Sequence, residues 1–391
     1  MPDHPQPLPA PPPGKSGWPW IGFEVSGGNR DASWPRISIV TPSYNQAAFI
    51  EETIRSVLLQ GYPNLQYIVI DGGSTDGSVD IIQKYTPWID YWESTPDRGQ
   101  SHAINKGLSR CNGEWFNWLN SDDYLFPGAL QFLASSIRDQ PQVMITAGRT
   151  RNLRQGELRE SYGCRLSQGR PEGLFSLGLN QPGSLLRLAP VRECGLTEEL
   201  HYTMDLALWI RLLLQGELKL IDHEIAAYRY HENSKTCSAA DVFAPEEFSV
   251  LHDLFLSLVS SSATEALRRV RALCPAPQLA FTAASPVNTT SITRAFFDRL
   301  FVTDSLLFRA LRGFLKDDRR AFPEFLRLID CLRPVLQSVY AGNFAAVESR
   351  ALLHALQETG RITSWPAARR VLFAARTPAT VRALLRLWLK S

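Results

Sequence analysis

The chain lacks any uninterrupted apolar stretch near the roughly 20 residues that a membrane-spanning helix needs. An integral membrane protein is therefore not expected. It also lacks a charge excess: 41 Lys and Arg stand against 39 Asp and Glu, a net charge of +2, where nucleic-acid binders show a clear basic surplus. No nucleic-acid partner is expected. Six cysteines (Cys111, Cys164, Cys194, Cys237, Cys274, Cys331) form no CxxC pair, which speaks against a zinc ribbon or a disulfide scaffold and for reduced cytosolic thiols. The segment MPDHPQPLPAPPPGKSG has no apolar core of the kind a secretory signal carries, so a cytoplasmic protein is expected. Beyond Glu358 there is no acidic residue at all.

With 391 residues the chain has room for two or three domains. Residues 1–35 are rich in Pro and Gly, lack periodicity and read as a flexible arm. From residue 36 strand and helix signals alternate. The β-branched run at 36–41 precedes apolar positions Phe49, Ile50, Ile54, Val57 and Leu58 at helical spacing, and Gly61-Tyr62-Pro63 stops that helix. Strands are expected at 65–70, near Tyr91-Trp92 and at 114–119, with helices at 79–85 and 101–109 between them. Alternation of this kind implies βαβ units, hence an α/β fold on a mostly parallel, doubly wound sheet. Residues 148–200 look less regular. A helix is expected at 204–214 and short strands at 218–221 and 226–230. From about 241 the pattern is helical and carries no chemical motif.

In open α/β sheets ligands bind beyond the carboxyl ends of the strands. Three polar clusters fall there: Thr41-Pro42-Ser43-Tyr44-Asn45, Asp71-Gly72-Gly73-Ser74-Thr75-Asp76 and Asn120-Ser121-Asp122-Asp123. Each alone could be a turn with an Asp or Ser cap. Together they put carboxylates, which hard cations such as Mg²⁺ and Mn²⁺ prefer, beside glycines that allow a ligand close to the backbone. Trp88, Trp92, Trp115 and Trp118 read as core residues, and Tyr228 and Tyr230 as packing on the sheet.

Residues 36–240 resemble glycosyltransferase family two, with its GT-A fold. The resemblance rests on VTPSYNQAAFIEETIRSVLLQGYPNLQYIVIDGGSTDGS, TPDRGQSHAINKGL, GEWFNWLNSDD, NQPGSLLR, MDLALWIRL and YRYHENSKT, in that order. It implies an inverting transferase that moves a sugar from a nucleoside-diphosphate sugar, a UDP-sugar above all, to a hydroxyl of a glycan or lipid-linked acceptor. The cofactor it implies is a divalent metal, Mn²⁺ or Mg²⁺. By the same resemblance Asp71 contacts nucleobase and ribose, Thr41, Pro42 and Tyr44 line the nucleoside pocket, and Arg98 stands near base or diphosphate. Asn120-Ser121-Asp122 occupies the place of the family's Asp-x-Asp motif: Asn120 and Ser121 face the donor and Asp122 the metal. Asn120 departs from the pattern, and Asp123 could compensate for its missing charge. Asp205 matches the catalytic base, with Met204 where some members carry Glu, and His231 matches a histidine brought to metal or diphosphate. His102, His201 and His223 match nothing comparable.

Two other readings remain: a non-catalytic module that binds nucleotide-sugar or glycan, favoured by Asn120 alone, and a nucleotidyltransferase, disfavoured because VTPSYNQ holds no glycine-rich basic loop. At the C-terminus Thr377-Pro378 would open a helix with Val381, Leu384, Leu385 and Trp388 on one face and Arg382, Arg386 and Lys390 on another. Such a helix either packs on its own helical domain or lies on the inner face of an anionic membrane.

Overall fold

The computed structural model describes residues 7–21, 34–166, 171–231, 240–259, 265–273, 277–303, 306–340 and 343–359, with Ala368 and Val371. It divides into two compact units, Met1–Arg165 with Gly178–Ser238 and Leu166–Leu177 with Ala239–Ser391.

The first unit opens with β1 (Ile37–Ser43), α1 (Ile50–Leu58), β2 (Leu65–Asp71), α2 (Ser78–Lys84), β3 (Tyr91–Ser94), α3 (Gln100–Leu108) and β4 (Trp115–Trp118). β1 pairs in parallel with β2 and β4, and β2 with β3. Every residue of β1, β2 and β4 is buried, as parallel strands covered on both faces must be. Residue 107 lets α3 lie close on this sheet: a Cβ at Gly107 would stand 2.5 Å from Val40 Cγ1. Trp115 and Trp118 are core residues, and Trp88 and Trp92 pack against the core.

β5 (Tyr124–Leu125), α4 (Ala129–Ser135), β6 (Val143–Arg154), β7 (Glu157–Tyr162), β8 (Ser184–Arg187), α5 (Leu188–Cys194), α6 (Met204–Leu213) and β9 (Glu217–Tyr230) complete the unit. The sheet order is β3-β2-β1-β4-β8-β6-β9-β5, with β7 on β6. β8 runs antiparallel to β4 and β6, while β9 runs parallel to β6. Here the structure is more regular than the sequence. β6 buries Thr146, Thr150 and Asn152, so its alternation carries no apolar signature; pairing on both edges holds it extended. The two short strands expected at 218–221 and 226–230 are one strand, β9, and Asp222-His223-Glu224 between them is absorbed by register shifts against β6.

Residues 7–21 also differ from a free arm. Arg55 of α1 is 4% exposed, and among the described residues its guanidinium donates to the carbonyls of Pro9 (2.7 Å), Pro19 (3.1 Å) and Trp20 (2.9 Å) and to Tyr85 Oη (3.1 Å). Trp18 Nε1 donates to Leu125 O at 2.7 Å. A proline-rich segment offers many free carbonyls, and a buried guanidinium needs them. Composition does not reveal that match.

The second unit contains α7 (Ala240–Leu258), α8 (Glu265–Arg271), α9 (Thr289–Phe297), α10 (Leu306–Leu315), α11 (Asp318–Tyr340) and α12 (Phe344–Glu358). Its core is phenylalanine-rich, with Phe255 stacked on Phe296 at 4.3 Å. Asp253 is buried and receives Arg271 Nε (3.0 Å), Arg271 Nη2 (2.8 Å) and Leu279 N (2.9 Å). Among the described residues no helix is long and apolar enough to cross a membrane. The basic helix expected from Thr377 lies outside the described residues.

Candidate active site

The loops after β1 and β2 are tied together. Asn45 adopts a left-handed conformation (φ 52°), which Asn tolerates because its short side chain can bond locally. Its N–H donates to Ser74 Oγ at 2.7 Å, and its Oδ1 accepts from Thr75 N at 2.9 Å. Gln46 N donates to Ser78 Oγ and Ala47 N to Asp76 Oδ2. Burial alone would raise the Asp76 carboxyl, but these hydrogen bonds from Ser78 and Ala47 hold it below its usual range. Of the first-strand loop, Thr41 and Pro42 are buried, and the Thr41 hydroxyl is 3.0 Å from Tyr67 Oη. Tyr44 is 62% exposed.

Asp71 ends β2 and is fully buried. Its Oδ2 accepts from Gly73 N (3.0 Å), Ser74 N (2.8 Å) and Ser94 Oγ (2.7 Å), and its Oδ1 accepts from Ser74 Oγ (2.5 Å). The carboxylate fixes the loop around it. Arg98 reaches Glu198, with Nε at 3.0 Å and Nη2 at 2.7 Å from Oε2, although its own side chain is 68% exposed. Burial would raise the Glu198 carboxyl, but Arg98 and Asn105 bring it below its usual range.

The turn after β4 is clamped from two sides. Thr53 Oγ1 of α1 donates to Ser121 O (3.0 Å) and Asp123 O (2.6 Å). Arg229 of β9 donates Nε to Asp122 O (2.7 Å), its backbone N to Asp123 Oδ1 (2.8 Å) and Nη2 to Glu52 Oε2 (2.6 Å), and its guanidinium lies 4.8 Å over Phe49. Neither Arg229 nor Thr53 is legible as a site residue in sequence, because each acts on backbone carbonyls 68 to 107 residues away. Gln181 closes the back of the turn on Asn117 Oδ1 (2.9 Å) and Trp118 O (2.5 Å).

This clamp brings Asp122 and His231 together across 109 residues, Nε2 to Oδ2 at 2.9 Å, both side chains about one-fifth exposed. Phe49 flanks the imidazole at 5.0 Å. Asn120 Oδ1 accepts from Gln100 Nε2 at 2.7 Å. Ser121 is buried. Asp123, expected as a compensating ligand, is turned inward and 1% exposed. Burial, then the neighbouring Asp122 charge, push its carboxyl well above the usual range, with Arg229 opposing. It supports the turn. Asp205 stands in the first turn of α6, where the helix dipole favours a carboxylate, and its Oδ1 accepts from Leu206 N at 2.7 Å.

A divalent cation fits the Asp122–His231 pair in donor chemistry, one carboxylate oxygen and one imidazole nitrogen already converging. Among the described residues no group of three or more His, Cys, Asp or Glu gathers as a closed metal site.

Residues 38–184 match the family described as Glycosyl transferase family 2. An uncharacterized glycosyltransferase of Rickettsia typhi is 28% identical over 234 residues, 57% of this chain and 72% of that protein. TuaG of Bacillus subtilis, named as a teichuronic acid biosynthesis glycosyltransferase, is 40% identical over 94 residues. That match spans 23% of this chain and 36% of TuaG. The fold is similar to that of TarS residues 1–349 of S. aureus, crystallised with UDP-GlcNAc. There the TM-score is 0.55 at 18% identity, over 87% of this chain and 89% of that one. With the strand ends arranged as in the GT-A fold, residues 38–184 of this chain match glycosyltransferase family 2.

Proposed function

We propose that the chain, through residues 36–240, transfers a sugar with inversion from a UDP-sugar to a hydroxyl of a glycan or lipid-linked acceptor in polysaccharide biosynthesis. The observation that carries this is the convergence of the β1, β2 and β4 ends with the Asp122–His231 pair. TarS, solved with UDP-GlcNAc, and TuaG, named for teichuronic acid biosynthesis, support the donor and pathway class. Tyr44 and the loops around Asp71 hold the nucleoside, with Thr41 and Pro42 beneath and Arg98 at the rim. Asn120 and Ser121 face the ribose and sugar side of the donor.

A divalent cation, Mn²⁺ or Mg²⁺, would be held by Asp122 and His231 and would supply charge neutralisation to the departing diphosphate. Asp205 takes the proton of the acceptor hydroxyl as its oxygen forms a bond to the anomeric carbon. The bond from that carbon to the diphosphate oxygen breaks on the opposite face, and the electron pair leaves with the nucleoside diphosphate. On this reading the protein acts on the cytoplasmic side, and a peripheral contact of the basic 377–390 segment with the inner face of an anionic membrane is compatible with it.

The test is a panel of nucleotide-sugars in thermal-shift experiments with Mn²⁺, since a bound donor stabilises the fold by mass action. A UDP-sugar should raise the melting temperature, and a panel that leaves it unmoved would overturn the proposal.

A further inference from the structure

We infer that Asp97, not Asp71, is the carboxylate offered to the donor base, and that it selects a base with a ring N–H such as uracil. This rests on the proposed nucleoside site and deepens it.

Gly72 stands where the loops after β2 and before α3 meet. A Cβ built there would stand 2.8 Å from Asp97 Oδ2, 3.2 Å from Asp97 Cγ and 3.3 Å from Tyr44 Cδ2. The Asp97 carboxyl, carried on the loop before α3, thus fills the space that a side chain at residue 72 would take. It does so beside the exposed Tyr44 ring. Gly73 lets the two loops meet, with φ 86° and Pro96 N 3.3 Å from where its Cβ would be.

The two carboxylates differ in what they have left to give. Asp71 is fully buried and accepts four hydrogen bonds from its own loop and from Ser94. Asp97 is half-buried, and Oδ1 accepts from Gly99 N at 2.7 Å, which fixes the carboxyl plane. Oδ2 accepts no hydrogen bond among the described residues. Arg98 next to it is held by Glu198. An aromatic ring to stack on and one unused carboxylate oxygen at its edge recognise a base whose ring nitrogen donates. Uracil N3 is such a donor. Cytosine N3 is a lone pair and meets the carboxylate with like charge, its N4 amine lying to one side.

The experiment compares UDP and CDP binding by calorimetry, with Mn²⁺, in the full chain and in the Asp97→Ala, Asp97→Asn and Asp71→Asn variants. The parent should prefer UDP by about tenfold or more, the worth of one charge-assisted hydrogen bond. Asp97→Ala should bring the two nucleotides within about twofold of each other. Asp97→Asn should reverse the order: its carbonyl stays on Gly99 N–H and its amide turns an N–H toward the base, which suits cytosine N3. Loss of fold alone would not reverse a preference. Retention of the parent ratio in both Asp97 variants would overturn the inference, as would collapse of that ratio in Asp71→Asn only. A parent that binds UDP and CDP equally also overturns it while leaving the nucleotide site intact. A parent that binds neither overturns the proposed site itself.

Discussion

Replacing Asp71 by Ala should damage the fold before it damages any nucleotide contact. The carboxylate accepts two backbone N–H groups and two hydroxyls at 2.5–3.0 Å from a fully buried position. Hydrogen bonds to a charged group contribute about 1.5–3 kcal/mol each, and buried donors left without an acceptor carry a desolvation penalty of about 1–3 kcal/mol. The four share one acceptor and are not additive. A loss of about 3–5 kcal/mol is therefore expected, the range found when a buried charged network loses its centre. Asp71→Asn keeps a carbonyl for the two amides and Ser94, loses only the charge assistance, and should cost about 1–2 kcal/mol. Urea unfolding followed by tryptophan fluorescence reports mainly on the right unit, since eight of the ten tryptophans, Trp18, Trp20, Trp34, Trp88, Trp92, Trp115, Trp118 and Trp209, belong to it. If Asp71→Ala unfolds within about 1 kcal/mol of the parent, the loop does not depend on this carboxylate and the reasoning fails.

Gly107→Ala gains about 1 kcal/mol of helix propensity but places a Cβ 2.5 Å from Val40 Cγ1. Overpacking of about 1–3 kcal/mol should win; addition of Val40→Ala should remove the excess penalty in a double-mutant cycle. Nucleoside diphosphate affinity should fall about tenfold when EDTA replaces Mn²⁺, and Asp122→Ala should abolish that dependence in calorimetry. In the second unit Arg271→Ala should cost about 3–5 kcal/mol by leaving Asp253 buried and unpaired. Burial opposes ionisation of Asp253, but hydrogen bonds from His252 and Arg271 bring its carboxyl below the usual range. Its contribution is therefore complete above the unfolded value of about 3.9 and is lost as pH falls through the lower folded value. Acid titration by circular dichroism should show that loss in the parent and a smaller one in Arg271→Ala, where His252 and Leu279 N still hold the carboxylate.

The alternation of β1 to β4 with α1 to α3 is legible because apolar periodicity and glycine–proline stops agree with the tertiary structure there. β6 is not, because Thr146, Thr150 and Asn152 are buried polar residues whose place is set by pairing on both edges, while β9 is legible as two short strands and not as one. In the site, the residues that end strands are legible by position: Asp71, Asn120 and Asp122 stand where the strand-end rule puts them. What holds them is not. Arg229 and Thr53 act on distant carbonyls, and the nearness of Asp97 to Gly72 arises from two loops that share no sequence neighbourhood. The ties of residues 7–21 to Arg55 are hidden for the same reason, since a carbonyl carries no residue signature.

The central claim is that this arrangement turns over a nucleotide-sugar with Asp205 as base. The most direct measurement is release of nucleoside diphosphate from a UDP-sugar with Mn²⁺ and a hydroxyl acceptor, in the parent and in Asp205→Asn. Asn is nearly isosteric but cannot take a proton, so release should fall by about 10²-fold or more while donor affinity stays within about threefold. Equal rates in parent and variant would contradict the account.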